Sequence, residues 1–197
     1  MRDYYEQLWE RLPAETEPPD FALRRGFLLT HAGGSERALD LGCGDGHFSG
    51  VLAGAVTAVT GADVAEAALT RARRRHPGLR FARVPFDGEL PFEDGAFDLV
   101  WASEVIEHVA DTARWLSEVR RVLAPRGRLL VTTPSHSRAR LARYGIDAFS
   151  PPLGDHLHLY SRRSLAGLLG EFGFAPVVVR AAGGLRLSRL LLGRAER

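Results

Sequence analysis

Short apolar runs alternate along the chain with segments whose apolar residues recur at helical spacing. The apolar runs predict strands over 37–41, 56–62, 79–84, 97–102, 128–133 and 174–181. The intervening segments predict helices over 47–54, 65–75, 111–123 and 161–172. Strands that alternate with helices favour a parallel sheet covered on both faces, because each crossover lays a helix on the sheet. The expected fold is therefore α/β, a doubly wound, mostly parallel sheet of six to seven strands with helices on both faces.

Three further segments do not fit this alternation. Residues 1–30 predict a helical cap that prolines interrupt. Residues 135–160 show no period, and a stretch of that length inside a compact domain is usually functional, so we expect a lid over the acceptor. The leucines of the tail, 183–197, suit either a helix or a closing strand. All of these segments are expected to belong to one domain, 1–197.

The composition excludes several classes of protein. The single Cys excludes a disulfide scaffold and a Cys-rich zinc site. The apolar runs are too short to span a bilayer, and residues 1–6 lack the apolar core of a signal peptide. The sequence therefore predicts a cytoplasmic protein with no membrane partner.

The charge balance argues against a nucleic-acid partner. The chain has 26 cationic side chains, all of them Arg, and 24 acidic ones, which leaves a net charge of +2. The two signs nearly balance and no basic block dominates, so the electrostatic footprint of a nucleic-acid-binding protein is missing. We expect a small-molecule partner instead, and a monomer or a homodimer.

A glycine-rich turn follows the first predicted strand. Gly42, Gly44 and Gly46 alternate with Cys43 and Asp45 between a strand and a helix. Missing Cβ atoms let a ligand approach the backbone, and the carboxyl edge of such a sheet is where ligands bind. The spacing is not G-x-G-x-x-G, and an acid in the turn would repel a pyrophosphate. This disfavours a nicotinamide-dependent oxidoreductase and favours a cofactor with a positive or zwitterionic group.

An acidic residue, Asp63, ends the second predicted strand. In this topology it faces the position of a ribose above the glycine turn, where a carboxylate accepts hydrogen bonds from two hydroxyls. The alternative is that Asp63 only caps the helix that begins near residue 65.

Acidic and histidine side chains cluster after the fourth predicted strand. Glu104, Glu107, His108 and Asp111 fall within eight residues, and on a helix the first three would share a face. His108 suits a general base that takes a proton from a substrate hydroxyl. Alternatively, Glu104, Glu107 and His108 bind a divalent cation, or Glu107 and His108 only shape the turn. His156, near the end of the predicted lid, is a further candidate that would reach the acceptor.

The motifs taken together resemble those of the class I S-adenosylmethionine (SAM)-dependent methyltransferases. The resemblance is carried by LDLGCGDG (39–46), VTGADVAEAAL (59–69), LPFEDGAFDLVWASEVIEHV (90–109) and LSEVRRVLAPRGRLLVTTP (116–134). The stretch DHLHLYSRRSLAGLLGEFGF (155–174) resembles the branch that includes ubiquinone-pathway O-methyltransferases. The resemblance implies a Rossmann-like fold with SAM as cofactor and S-adenosylhomocysteine (SAH) as product.

The resemblance also implies roles for single residues in binding SAM. The turn, through Gly42, Cys43, Gly44 and Gly46, would lie under the methionine and ribose of SAM. Asp40 would lie near the amino group, Asp63 would bind the ribose and Val64 would contact the adenine. Phe86 or Asp87 would complete the adenine pocket, and Ser103 and Glu104 would lie near the sulfonium.

The sequence therefore predicts an enzyme that moves the methyl group of SAM to a small molecule, with a hydroxyl oxygen as the expected acceptor. His108, Glu107 and His156 are the expected catalytic residues. In the resembling branch, a similar E-V-x-E-H-V stretch is associated with a divalent metal, so a metal bound by Glu104, Glu107 and His108 is the second expectation. The alternatives are a non-catalytic protein that binds SAM or SAH and, less favoured, the oxidoreductase.

Overall fold

The computed structural model describes residues 2–13, 16–145, 156–184 and 189–197. Seven strands within these ranges form one sheet. The strands are β1 (Arg37–Leu41), β2 (Ala58–Asp63), β3 (Arg80–Arg83), β4 (Phe97–Ser103), β5 (Leu123–Pro134), β6 (Val177–Ala182) and β7 (Leu190–Glu196). The helices are α1 (Arg2–Arg11), α2 (Phe21–Ala32), α3 (His47–Ala53), α4 (Glu66–Arg75), α5 (Thr112–Val122), α6 (Arg138–Tyr144) and α7 (Arg162–Glu171).

The sheet has the order β3-β2-β1-β4-β5-β7-β6. Neighbouring strands from β3 to β5 run parallel, and β7 runs antiparallel to both β5 and β6. The chain winds outward from β1 in one direction and from β4 in the other, so the switch point lies between these two strands. A crevice at the carboxyl ends of the strands is expected there. The predicted α/β fold is confirmed.

Two hydrophobic layers hold helices on the two faces of the sheet. Leu39 of β1 packs in one layer with residues of α5 and α7, such as Leu116 and Leu165. The neighbouring Ala38 packs in the other layer, where Leu28 and Leu52 bring in α2 and α3. All six side chains are fully buried. Successive side chains of a strand point to opposite faces, so one apolar strand serves both layers.

Two elements differ from the sequence-based expectation. Strand β5 begins at Leu123, directly after α5, and includes the Pro125-Arg126-Gly127 stretch that was expected only to stop the helix. Helix α6 lies inside the segment predicted to have no period. This helix has seven residues, none of them buried, so its sequence carries no apolar stripe to reveal it.

The tail of the chain is a strand rather than a helix where the structure describes it. Strand β7 inserts between β5 and β6 and completes the sheet. Leu185 and Leu187, which left the choice open in the sequence, lie outside the described residues, as do residues 146–155 of the predicted lid.

Candidate cofactor and acceptor site

A cavity of about 630 Å³ opens at the carboxyl edge of the sheet, beside the switch point. Its wall comprises residues of α1, of the turns that follow β1, β2, β3 and β4, of the start of α5, and His156. Parts of the chain that are distant in sequence therefore converge on one concave site, as expected for a ligand-binding crevice in a doubly wound sheet.

The glycine turn forms part of this wall and depends on its glycines. Gly42 and Gly44 both have positive φ angles, 79° and 54°. A Cβ on Gly42 would come within 2.3 Å of Val105, and one on Gly44 within 2.6 Å of the Trp9 ring. Gly46, with φ 85°, stands before α3 and does not belong to the wall. The turn is thus shaped by backbone conformations that other residues adopt only with strain.

The first three N–H groups of this turn are engaged within the protein. Those of Gly42 and Cys43 donate to the Ala62 carbonyl at 2.7 and 3.0 Å. The N–H of Gly44 donates to Asp63 at 2.9 Å. The Cys43 thiol is buried, and burial raises its pKa, which argues against a nucleophilic role. Cys43 contributes to the cavity as part of the wall.

Asp63 joins the glycine turn to the start of α4. Its Oδ2 accepts from the Gly44 N–H and its Oδ1 accepts from the Ala65 N–H, both at 2.9 Å. The side chain is only 7% exposed, and burial raises its pKa. The capping contact expected as the alternative is therefore present. Asp63 and Val64 also line the cavity, and their contacts with ribose and adenine stay predictions.

Asp40 lies beneath the turn rather than in the cavity wall. Its Oδ2 accepts a hydrogen bond of 2.6 Å from the Ser49 hydroxyl of α3. Burial, together with the nearby charge of Asp63, raises the pKa of Asp40 to about 7. Its expected contact with the amino group of SAM stays a prediction, and here the carboxyl group ties β1 to α3.

Asp45 is a wall residue that the sequence did not assign to the site. Its carboxylate lies 2.7 Å from His47 Nδ1 and accepts from Arg75 Nη2 at 2.7 Å. The sequence signal for Asp45 as a site residue is its position inside the glycine turn. In the sequence analysis that position serves only to argue against a bound pyrophosphate. The structure places it among the acids that face the occupant of the cavity.

Helix α1 covers the cavity and is anchored on α4 by a contact that the sequence did not suggest. Glu6 accepts from the backbone N–H groups of Glu66 and Ala67 at 2.8 and 2.9 Å. Arg71 of α4 donates to the Leu12 carbonyl at 2.7 Å. The wall residues of the helical cap in α1 and directly after it are Tyr5, Leu8, Trp9 and Leu12. A carboxylate at a helix N-terminus satisfies orphan N–H groups and the helix dipole together.

Phe86 and Asp87, the two candidates for the adenine pocket, both lie in the wall. The Tyr5 ring stacks on Phe86 with centroids 6.1 Å apart and an interplanar angle of 27°. Tyr5 also meets the edge of His108, at 6.1 Å and 81°. This one residue of α1 therefore bridges the predicted adenine pocket and the acid–histidine cluster.

The stretch that contains Glu104, Glu107 and His108 is a turn and not a helix. Glu104 has a left-handed backbone, with φ 57°, so the expected helical face does not form. Two neighbouring threonines of β5 hold the two acids: Thr132 donates to Glu104 at 3.0 Å and Thr133 to Glu107 at 2.9 Å. Ser103 and all four residues of the predicted cluster, Asp111 included, line the cavity.

Glu107 is fully buried beside His108. Its Oε1 lies 3.9 Å from His108 Nε2. Burial, reinforced by the negative charge of Glu104, raises the pKa of Glu107 to about 8. Burial also raises the pKa of Glu104. A carboxyl group that titrates near neutral pH beside an imidazole is suited to proton transfer.

The last residues of the predicted lid, 156–160, bring His156 to this pair. The His108 and His156 rings meet edge to face at 4.8 Å, and the Leu157 N–H donates to the Glu107 carbonyl at 2.8 Å. Ligand atoms of Glu107, His108 and His156 lie within 4.8 Å of one another. Among the described residues, this is the grouping whose ligand atoms lie close enough to hold a metal, and it includes His156 but not Glu104, which was expected as a ligand.

Arg24 of α2 is a second wall residue that sequence analysis missed. Its side chain is almost fully buried and donates from Nη1 to the Ser103 hydroxyl at 2.9 Å. It lies in the segment interpreted only as a helical cap, and a single Arg in an Arg-rich chain carries no signal of its own.

Comparison with known proteins decides the family. A family model described as a methyltransferase domain matches residues 1–179. The chain belongs to the class I SAM-dependent methyltransferases. The residues around the cavity fit SAM chemically, since the acids suit its cationic groups and Gly42, Cys43 and Gly44 line the cavity beside them. The described helices of this methyltransferase include none of the length and apolarity needed to cross a membrane.

Individual relatives of this methyltransferase differ in the atom that they methylate. An O-methyltransferase of Penicillium expansum is 32% identical over 190 residues, which cover 89% of this chain and 65% of that protein. A glycine/sarcosine/dimethylglycine N-methyltransferase of Actinopolyspora halophila is 37% identical over 145 residues, which cover 70% of this chain and 23% of that protein. A crystal structure of a SAM-dependent methyltransferase from Mesorhizobium loti superposes with a TM-score of 0.72 at 25% identity, covering 90% and 97%. The chain spans 30% to 49% of the length of three further curated relatives.

Replacing Asp63 tests whether it binds the cofactor. Asp63→Ala removes the carboxylate that is predicted to accept hydrogen bonds from two ribose hydroxyls. Each such charge-assisted hydrogen bond is worth about 1.5–3 kcal/mol. We expect the affinities for SAM and SAH, measured by isothermal titration calorimetry, to fall at least about tenfold. Glu93→Ala removes an exposed carboxylate outside the cavity wall and should leave both affinities unchanged. Unchanged affinity in a folded Asp63→Ala protein would leave Asp63 as a helix cap only.

The raised pKa of Asp40 predicts a pH-dependent stability. An unfolded Asp ionises near 3.8, whereas folded Asp40 ionises near 7, so stability present at low pH is lost as the pH rises through about 7. Asp40→Asn still accepts from Ser49 and has no charge to bury. Urea unfolding at pH 5 and pH 8 should therefore show a smaller loss of stability for Asp40→Asn than for the wild type.

Asp98 serves as a control because its pKa is shifted in the opposite direction. It pairs with Arg37, and its pKa is lowered. Asp98 is already ionised at pH 5, so Asp98→Asn should change stability by the same amount at pH 5 and pH 8. If the free energy of unfolding fell equally between pH 5 and pH 8 in the wild type and in Asp40→Asn, Asp40 would not titrate in this range.

Proposed function

We propose that this chain transfers the methyl group of SAM to a hydroxyl oxygen of a small molecule. The observation that carries the proposal is the convergence of Glu107, His108 and His156 on the same cavity as the glycine turn and Asp63. When bound, SAM supplies an electrophilic methyl group on a sulfonium. The protein must then hold the acceptor in line, remove its proton and exclude water, and alignment alone supplies up to about 7–11 kcal/mol in ideal cases.

His108 is the proposed general base. It lies in the wall, partly exposed, with Nε2 3.9 Å from the buried Glu107 Oε1. When His108 takes the hydroxyl proton it becomes a cation, and an ionised Glu107 beside it stabilises that charge in a site of low polarity. Thr133 holds Glu107 in place by its 2.9 Å hydrogen bond. His156, edge to face with His108, limits the orientations of the imidazole.

The acceptor half of the cavity has an apolar lining beyond this cluster. Leu90, Val109 and Trp115 belong to the wall next to the start of α5. Such surfaces favour a small apolar or aromatic body that carries the hydroxyl group. Of the described residues in the predicted lid, His156 is the one that reaches the wall. Closure of 135–160 over the acceptor stays part of this proposal.

A divalent cation held by Glu107, His108 and His156 is the second candidate. Glu107 Oε1 is buried and has no hydrogen-bond partner among the described residues, which is an observation that a cation would explain. One carboxylate and two imidazoles are a donor set that suits a transition metal better than Mg²⁺. A bound cation would lower the pKa of the acceptor hydroxyl and replace the base.

The helical cap of residues 1–30 is proposed to close the cofactor half. Trp9 stands directly over Gly44, and Glu6 holds α1 on the N-terminus of α4. A ligand bound between the glycine turn and α1 would be sheltered from water, so entry and exit require this helix to move.

The proposed reaction has a defined pH dependence. Methyl transfer from SAM labelled in the methyl group would be measured over a panel of small phenols, amines and carbon acids. Glu107 keeps its proton below about pH 8, so the rate with the active hydroxyl compound should rise as the pH passes through that value. Glu107→Gln cannot ionise, so this rise should vanish and kcat should fall by about 10²-fold or more.

Two controls separate the candidates. Glu93→Gln, at an exposed position outside the cavity wall, should behave as the wild type. Prior treatment with EDTA should leave the rate intact if His108 is the base, whereas loss of activity restored by Mn²⁺ or Zn²⁺ would favour the cation. Binding of SAM without transfer to any compound would favour a non-catalytic SAM-binding protein, and preference for amines would contradict O-methylation.

Loosening α1 should speed the release of the product. Glu6→Gln loses the charge and one of the two acceptors at the N-terminus of α4, an effect of about 0.5–2 kcal/mol for a helix cap. We expect SAH to dissociate several-fold faster, as followed by stopped-flow Trp fluorescence. Glu10→Gln, on an exposed face of the same helix, is the matched control. Equal rates of SAH dissociation in the two variants would show that the contact of Glu6 with α4 does not hold α1 over the cofactor.

A further inference from the structure

Residues 156–160, here called the strap, run beside the acid–histidine cluster and are fastened to it by hydrogen bonds. The N–H groups of Leu157 and His158 donate to the Glu107 carbonyl at 2.8 and 3.1 Å. His158 also donates from Nε2 to the Val109 carbonyl at 2.9 Å. These contacts tie the first part of the strap to the turn that follows β4.

The other end of the strap is held by His136, which comes shortly after the end of β5 at Pro134. The His136 N–H donates to the Tyr160 carbonyl at 2.8 Å, and His136 Nδ1 accepts from the Tyr160 N–H at 3.2 Å. A backbone N–H only donates, so Nδ1 carries no proton and the tautomer of this ring is fixed. Burial lowers the pKa of His136 to about 4, in keeping with a neutral ring. Backbone and side chain of His136 therefore fasten the strap together.

The His136 ring also lies against the ring of His156. The two rings meet edge to face, with centroids 6.2 Å apart and an interplanar angle of 87°. His156 in turn meets the ring of His108, at 4.8 Å and 73°. Aromatic rings at such distances and angles favour a defined relative orientation. Three imidazoles thus follow one another, from the proposed general base to a residue that is only 3% exposed.

The three rings differ in their access to the cavity. His108 and His156 belong to its wall, whereas His136 does not. His136 is therefore placed to act on the site through His156, and it adds no positive charge next to the ring that takes up the proton. A buried ring in this position restrains the geometry of the cluster from behind.

We propose that His136 is a positioning residue, which holds the His156 ring against His108 and so keeps the general base aligned with the acceptor. The proposal rests on the proposed role of His108 as that base. It extends the functional site beyond the cavity wall, to a buried side chain on the segment that leaves β5. Alignment of reacting groups is a large part of what such a site supplies, so a restraint on the base is expected to affect the rate.

The test removes the ring of His136 and keeps its hydrogen bond. In His136→Asn the amide oxygen still accepts from the Tyr160 N–H, but no ring remains behind His156. We expect kcat per SAH-binding site to fall at least about fivefold, because the base is misaligned, and SAH affinity to stay within about twofold of the wild type. His136→Phe restores a ring without the acceptor and should recover part of kcat. His31→Asn, at a partly buried histidine outside the cavity wall, should change neither quantity.

A double-mutant cycle separates positioning from a general loss of structure. If His136 acts through His156, His136→Asn should change kcat by less than about twofold in a His156→Ala background. Equal fold-losses in the two backgrounds would overturn the proposal. An unchanged kcat in His136→Asn alone would do the same, as would a loss of SAH affinity as large as the loss of kcat.

NMR follows the His156 ring independently of activity. Nuclear Overhauser contacts between the ring protons of His136 and His156 are expected in the wild type, and the ring signals of His156 should shift in His136→Asn. Should His136→Asn not fold, the absence of these contacts in the wild type would contradict the proposal. A wild type that binds SAH but methylates no compound would contradict the proposed function, and the His156 signals would still decide whether His136 holds that ring.

Discussion

The double hydrogen bond of Asp63 is the constraint on which the site depends. One carboxylate accepts from Gly44 in the turn after β1 and from Ala65 before α4, at 2.9 Å each. A buried carboxylate is unfavourable without such donors, and these two hold the ends of neighbouring strands in a fixed relation. The next two N–H groups of the same helix bind Glu6, so the position of α1 follows from the position of α4. Helix α1, which covers the cavity, and Asp63, which holds the glycine turn, are thereby fixed on the same N-terminus of α4.

The electrostatics of the cavity make it ready for a cation. Burial raises the pKa values of Asp40, Asp63, Glu104 and Glu107, which shows that their ionised forms are poorly compensated within the protein. A cationic ligand supplies compensation that the fold lacks, so it binds the folded state and stabilises it. Arg24 and Arg114 add positive charges to the same wall, which therefore carries both signs. A ligand with separated charges of both signs is therefore oriented by the field before any shape selection acts.

The parts of the site that follow from local patterns could be predicted from sequence. The alternation of strands and helices gave the sheet, and the glycine turn and Asp63 were placed because each directly follows a strand. Arg24 and His156 reach the cavity, and Glu6 reaches α4, only through packing between elements distant in sequence, so no local spacing reveals their partners. The helical face expected for Glu104, Glu107 and His108 failed because Glu104 adopts a left-handed backbone. The acids nevertheless converge, because Thr132 and Thr133 of the neighbouring strand hold them.

This division explains why the sequence predicts the cofactor better than the acceptor. The cofactor half is built largely from two strand ends and their turns, whose spacing is short and recognisable. The acceptor half combines the turn after β4, the start of α5 and a segment that begins at His156, and its shape depends on how these distant pieces pack. Relatives named for methylation of oxygen and of nitrogen accordingly both match this chain, over 89% and 70% of its length. The identity of the acceptor is therefore a property of the assembled wall, and the proposal of a hydroxyl acceptor rests on the part of that wall where Glu107 and His108 lie side by side.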